Sequence, residues 1–198
     1  MDHSDCLELL KKGFERYSPL TPDTWSRIAS VAHLEQVKKG TQLLRLGQVA
    51  KQLHFVCKGA LRSFYTDENG DVYNKNLFLE GDFAGSKVSL LQQTPSYFGI
   101  EALEDTTVMN INFSMYKQLI SEHDDLKDFY IAYIEKNWIM EKEKREIALV
   151  MESATERYQR LLEKHPDVDQ RIPQLHIAAH LGVTPTQLSR IRKAMKKN

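Results

Sequence analysis

The chain has 198 residues, its 27 basic and 27 acidic side chains cancel, and 41 % of it is hydrophobic. That length suits one large unit or two small ones, with enough apolar residues for a core, and the zero net charge excludes a uniformly basic nucleic-acid coat. No apolar run approaches the roughly 18 residues of a membrane span, and the acidic start Met1-Asp2-His3-Ser4-Asp5 lacks a secretory signal's basic-then-apolar pattern.

Two cysteines, Cys6 and Cys57, are too few for a disulfide framework or a four-thiolate cluster. A thiol-reduced, cytoplasmic protein is expected. Residues 5–17 place Cys6, Leu10, Phe14 and Tyr17 at helical spacing, and Ser18-Pro19 ends that helix. Thr21-Pro22 reads as an N-cap with proline in the first turn of a second helix carrying Trp25, Ile28, Ala29 and Ala32.

From about residue 34 the texture is β. Short runs at Leu43-Leu44, Leu53–Cys57, Ala60–Tyr65, Val72–Leu79 and Thr107–Phe113 alternate with glycines, the pattern of a sandwich or barrel. Asp67-Glu68-Asn69-Gly70-Asp71 predicts a hairpin turn, because Asn and Gly tolerate positive φ. Ser114 is expected to cap a short helix with Met115, Leu119 and Ile120.

Residues 125–151 contain no Gly or Pro and predict one long helix. Leu126, Tyr130, Tyr133, Asn137, Met140, Lys144, Ile147 and Met151 alternate by fours and threes, a heptad stripe that predicts a coiled-coil dimer seam. A second stripe of Phe129, Ile134 and Trp138 suits packing within the chain. Ser153-Ala154-Thr155-Glu156 then fits a capping box that opens a small helical unit.

Charge is uneven at the C-terminus. Residues 173–198 hold no Asp or Glu but five cations, Arg190, Arg192, Lys193, Lys196 and Lys197. The stretch 174–193 has the pattern of a helix-turn-helix. Ile177 and Leu181 face inward, Ala178 is small at the crossing, and Gly182 makes the turn. Thr184 caps the second helix and Pro185 sits in its first turn, while Leu188 and Ile191 anchor it. Thr186, Gln187, Ser189, Arg190 and Lys193 are left facing out. His176 and His180 have a metal-ligand spacing, but no third ligand is near, and they read as surface or phosphate-facing residues.

The order of sandwich, long helix and helix-turn-helix resembles the Crp/Fnr family of bacterial transcription regulators. The resemblance is carried by Lys39-Gly40-Thr41-Gln42-Leu43-Leu44, Phe55-Val56-Cys57-Lys58-Gly59-Ala60-Leu61-Arg62, Gly81-Asp82-Phe83-Ala84-Gly85, Glu101-Ala102-Leu103-Glu104-Asp105 and His176–Lys193. It implies an α+β chain: a cyclic-nucleotide-binding-like jelly roll over 1–123, a dimerisation helix over 124–151 and a DNA-binding unit over 152–198. It also implies a non-enzymatic homodimer that binds a pseudo-palindromic duplex and contacts RNA polymerase, with no cofactor or metal.

Three departures stand out. Ser86 occupies the family's Glu position and Ser96-Tyr97 its Arg-Ser pair, so cyclic AMP is not the expected effector. Pro185-Thr186 replaces a frequent Arg-Glu pair, and the chain stops at Asn198, before a C-terminal wing. The candidate ligand pocket is Arg62, Gly85, Ser86, Lys87, Ser96 and Tyr97, repurposed or plugged by Tyr97 and Phe98. The candidate DNA contacts are Thr184, Pro185, Thr186, Gln187, Ser189, Arg190, Lys193, Lys196 and Lys197. The alternatives are a ligand-binding or interaction module without DNA affinity, and a cupin-like metalloenzyme. The latter needs clustered strand histidines, whereas His54 is the one histidine between residues 34 and 113.

Overall fold

The computed structural model describes residues 1–70 and 72–196. Two helices, α1 (His3–Glu15) and α2 (Pro22–Val31), precede the strands. Thr21 caps α2 through its side chain, with Pro22 in the first turn as expected. Among the described residues eight strands follow: β1 (Ala32–Val37), β2 (Gln42–Leu44), β3 (Gln52–Lys58), β4 (Leu61–Thr66), β5 (Val72–Phe78), β6 (Phe83–Ala84), β7 (Gly99–Ala102) and β8 (Thr106–Asn112). They form two four-stranded antiparallel sheets, β1-β8-β3-β6 and β2-β7-β4-β5.

The chain turns from β3 to β4 at Gly59, whose φ is +102°; a Cβ there would come within 2.7 Å of the Thr106 backbone. The β4–β5 hairpin closes where expected, with the Gly70 amide donating to the Asp67 carbonyl at 3.1 Å. Helix α3 (Lys87–Gln92) and the strands β6 and β7 have too few residues to show a period, and sequence spacing does not resolve them. Helix α4 (Phe113–Glu122) is capped by Asn112, not Ser114: the Asn112 carboxamide oxygen accepts from the Ser114 and Met115 amides.

The core lies between the sheets and continues under α1 and the long helix. Phe14 meets Phe129 at 4.4 Å and Phe83 at 5.3 Å between ring centroids, and Tyr17 meets Tyr133 at 5.2 Å. Such ring pairs add about 0.5–1.5 kcal/mol each beyond the area they bury. Cys6 on α1 and Cys57 on β3 are free thiols that meet in this core, where burial pushes both thiols up.

The long helix is α5 (Asp124–Ile134), a π-helical segment (Glu135–Met140) and α6 (Glu141–Met151) in succession. Phe129, Tyr133, Asn137 and Arg145, facing the sandwich, are spaced by multiples of four residues. A heptad stripe alternates threes and fours and drifts off that row; the wider π turns absorb the extra residue. The eight positions of the stripe therefore have different surroundings within the chain. Leu126 is fully buried in its own core, Tyr133 packs on Phe83 and Phe129, and Asn137 donates to the Tyr17 hydroxyl at 3.0 Å. Tyr130 is half-buried beneath the Lys117 ammonium. Met140, Ile147 and Met151 remain exposed, as does Lys144, paired with Glu141 at 3.0 Å.

The C-terminal unit holds α7 (Ala154–Lys164), α8 (Val168–Arg171), α9 (Gln174–Leu181) and α10 (Pro185–Met195). The Ser153–Glu156 capping box is present. A second core of Tyr158, Val168, Ile172, Ile177, Ala178, Leu181 and Leu188 closes over Ala60, Leu79 and Leu103 of the sandwich, docking the unit there.

Candidate functional site

Helices α9 and α10 meet across Gly182, whose φ of +70° is a conformation that glycine adopts cheaply. Ile177, Ala178, Leu181 and Leu188 are buried, as their spacing predicts, and Val183 and Ile191 are half-buried. Thr184 caps α10 by accepting from the Gln187 amide at 3.2 Å. Gln187 closes the box in return, its side-chain oxygen accepting from the Thr184 amide at 2.8 Å. Its carboxamide is thus occupied in the helix cap.

Thr184, Pro185, Thr186, Gln187, Arg190, Lys193 and Lys196 are exposed and Ser189 is half-buried; Lys197 lies outside the described residues. Arg192 turns away from solvent, donating to Asp169 at 2.5 Å and to the Tyr158 hydroxyl at 3.0 Å. It braces α10 against α8, so the exposed cations of α10 are Arg190 and Lys193, with Lys196 just beyond.

The second feature is a cavity of about 1020 Å³ between the sandwich, the long helix and the C-terminal unit. Gly85, Ser86, Lys87, Ser96 and Tyr97 line it together, as grouped from sequence. Arg62 does not. Its guanidinium donates to Glu101 at 2.7 Å and Asn74 at 3.1 Å, and meets His176 Nδ1 at 3.0 Å. The side chain is spent on joining β4 to β7, β5 and α9. Plugging is also corrected: Tyr97 is 73 % exposed, Phe98 is half-buried under the Lys75 ammonium, and the cavity stays open.

Ser86 and Ser96 satisfy one another, the Ser96 hydroxyl donating to Ser86 at 2.7 Å. The cation beside them is Lys87, in the ring environment of Tyr133 and without a carboxylate partner among the described residues. Loss of hydration pulls its ammonium down to about 7.

His176 and His180 are not free surface groups. His176 is held by Arg62, and its backbone carbonyl accepts from Asn74 at 2.9 Å. His180 lines the cavity with its Nδ1 buried and unpartnered. Burial first, then Arg145, pushes it down to about 3. Lys75, Arg145, Arg157 and His180 reach the cavity from β5, α6, α7 and α9, and no local spacing in the sequence could have grouped them. No group of three or more His, Cys, Asp or Glu side chains suited to a metal ion occurs among the described residues.

Residues 34–123 match the family model of the cyclic nucleotide-binding domain. Among solved structures, FixK2 of Bradyrhizobium japonicum is 21 % identical, covering 84 % of this chain and 85 % of its own, with a TM-score of 0.69. The c-di-GMP-responsive global regulator CLP of Xanthomonas campestris is 16 % identical, covering 89 % and 92 %, with a TM-score of 0.67. The catabolite activator protein of Thermus thermophilus is 22 % identical, covering 90 % and 84 %, with a TM-score of 0.55. No curated protein sequence matches. Residues 34–123 are thus similar to a cyclic nucleotide-binding domain, and the chain shares the fold of these Crp/Fnr-like regulators.

Proposed function

We propose that the protein is a DNA-binding transcription regulator that works as a homodimer, with residues 1–123 as sensor, 124–151 as dimerisation helix and 152–198 as DNA-binding unit. The observation that carries this reading is α10: its inner face is locked by Leu188, while Thr186, Arg190 and Lys193 stand exposed on a capped, acid-free helix. That is the form in which a recognition helix enters a major groove. Contact with RNA polymerase belongs to the same reading.

Selection from random duplexes with the purified protein should return a pseudo-palindrome with half-sites about 34–36 Å apart. Arg190 suits the bidentate grip on a guanine edge, and Thr186 and Ser189 stand beside it. Arg190→Ala should cost about 1–3 kcal/mol and relax preference at one base pair, whereas Lys196→Ala should weaken all duplexes equally. With five or six phosphates engaged per dimer, log affinity should fall with log salt at a slope of about −5. Identical behaviour of the two variants would overturn these roles. Absence of salt-dependent binding would favour a ligand-binding module instead.

The dimer reading rests on Met140, Ile147 and Met151, together with Ile131, Ile139 and Val150, which leave an apolar face of the long helix exposed. Replacing Met140 and Ile147 together with glutamate should give monomers in sedimentation and abolish duplex binding, because like charges would face one another across a dry seam. An unchanged dimer would place the interface elsewhere.

The sensor reading is an effector other than cyclic AMP. Neutral Ser86 and Ser96 bond to each other, so neither offers a buried phosphate the positive partner that it requires. Micromolar binding of cyclic AMP or cyclic GMP in calorimetry would refute it.

A further inference from the structure

Where β5, α6, α7 and α9 converge, Lys75, Arg145 and Arg157 meet without an ion pair of their own among the described residues. Lys75 of β5 is half-buried, its ammonium 4.4 Å from the centre of the Phe98 ring. Arg145 of α6 spends its guanidinium on two neutral oxygens, Asn76 Oδ1 at 2.6 Å and the Lys75 carbonyl at 2.5 Å. Arg157 of α7 does likewise, donating to the Glu152 and Leu181 carbonyls at 2.6 and 3.1 Å. None of these three cations makes an ion pair among the described residues; nearby, Glu152 is taken by Arg160 and Glu141 by Lys144.

The cations also repel one another. Burial lowers Lys75, and Arg145 and Lys142 lower it further; burial, Arg145 and Lys164 act on His180 in the same sense. Four polar atoms on the cavity wall are buried with no hydrogen-bond partner: the donor Arg157 Nε, His180 Nδ1, the Ser63 hydroxyl and one carboxylate oxygen of Glu152, whose other oxygen is held by Arg160. All of these residues line the one cavity, and they come from the sandwich, the long helix and the C-terminal unit.

Desolvated charges without a counter-ion, and buried polar atoms without partners, are costly to keep. From the convergence of Lys75, Arg145, Arg157 and His180 on one cavity, we infer that this junction binds a multiply charged phosphate-type anion, a polyphosphate or phosphate ester. A single carboxylate would leave most of the charge unanswered. Guanidinium forks beside ammonium groups match tetrahedral oxyanions. The Arg157 Nε donor needs an acceptor, and a neutral His180 Nδ1 needs a hydroxyl or a protonated oxygen, which such a ligand also supplies. An anion here touches β5, α6, α7 and α9 together, so binding fixes the C-terminal unit against the sandwich. Binding there does not depend on DNA recognition by α10.

Pyrophosphate is the probe, titrated calorimetrically into the full chain with ionic strength held constant by sodium chloride. Saturable binding and a raised thermal midpoint are expected. Lys75→Met should weaken binding at least tenfold while raising the midpoint of the anion-free protein, because it removes an unpaired charge and keeps a thioether on the Phe98 ring. Lys164→Gln, at an exposed position whose change cannot unfold the protein, should weaken binding about threefold. No saturable binding, or wild-type affinity in both variants, would overturn the site. So would a tenfold loss in Lys87→Met with none in Lys75→Met or Lys164→Gln, which would move the anion to the Ser86–Ser96 end.

Discussion

Replacing Arg62 with methionine is expected to destabilise the protein by about 3–5 kcal/mol in urea unfolding, the cost of stranding one partner of a buried ion pair. The guanidinium is the hub of four elements. It sits on the Phe64 ring at 4.3 Å, binds Glu101 through two nitrogens and reaches Asn74 and His176. The two side chains of the ion pair are only 11 % and 19 % exposed, so water does not replace what the substitution removes. The double variant Arg62→Met/Glu101→Met should recover most of that stability, because two apolar groups need no counter-charge. It should not recover the side-chain tie from β4 to α9, which would keep its apolar packing and the Asn74 bond to the His176 carbonyl but lose the grip on the His176 ring. Amide exchange across 174–181 should therefore stay fast in the double variant. Wild-type stability in Arg62→Met, or slow exchange in the double variant, would refute the role assigned to Arg62.

Lowering the pH from 7 to 5 is expected to remove about 2 kcal/mol of stability through His180 alone. In the unfolded chain this imidazole takes its proton near the ordinary value of 6.5, whereas in the folded chain burial, then Arg145, delays protonation to about 3. The unfolded state binds more protons across that whole window, so stability falls as the pH drops from 6.5 toward 3. His54, His165 and His176 are lowered as well, each first by burial, and add in the same direction. The carboxylates held low by partners, Glu80 and Asp167 on Arg171 among them, act only below their ordinary range near 4.5. Histidines therefore govern the fall between pH 7 and 5. Unfolding free energies at both values for the wild type and His180→Gln provide the check. The variant should lose about 2 kcal/mol less over the interval; an equal loss would show that folded His180 takes its proton freely.

Much of the architecture was legible in the residues because the forces that set it are local. Thr21-Pro22, Ser153 with Glu156, and Thr184 cap the helices they were expected to cap, since a cap is made within one turn; that Gln187 closes a box with Thr184 was not expected. Asn69-Gly70 closes its hairpin for the same reason. The period of Ile177, Leu181 and Leu188 placed the inner faces of α9 and α10, because a helix carries its own register. What spacing could not decide was which surface each face would meet. The heptad arithmetic of the long helix was sound for a straight α-helix. The π segment Glu135–Met140 let Tyr133, Asn137 and Arg145 follow the sandwich instead and divided the stripe between a private core and an open face. Arg62 was grouped with the residues of the candidate ligand pocket on the strength of the resemblance. Glu101, Asn74 and His176, from three other elements, turned it into a fastening for α9. The cationic junction has no signature in the chain at all: Lys75, Arg145, Arg157 and His180 are ordinary residues scattered over a hundred positions. They become unusual only when packing brings them together and removes the water that would have kept their charges apart.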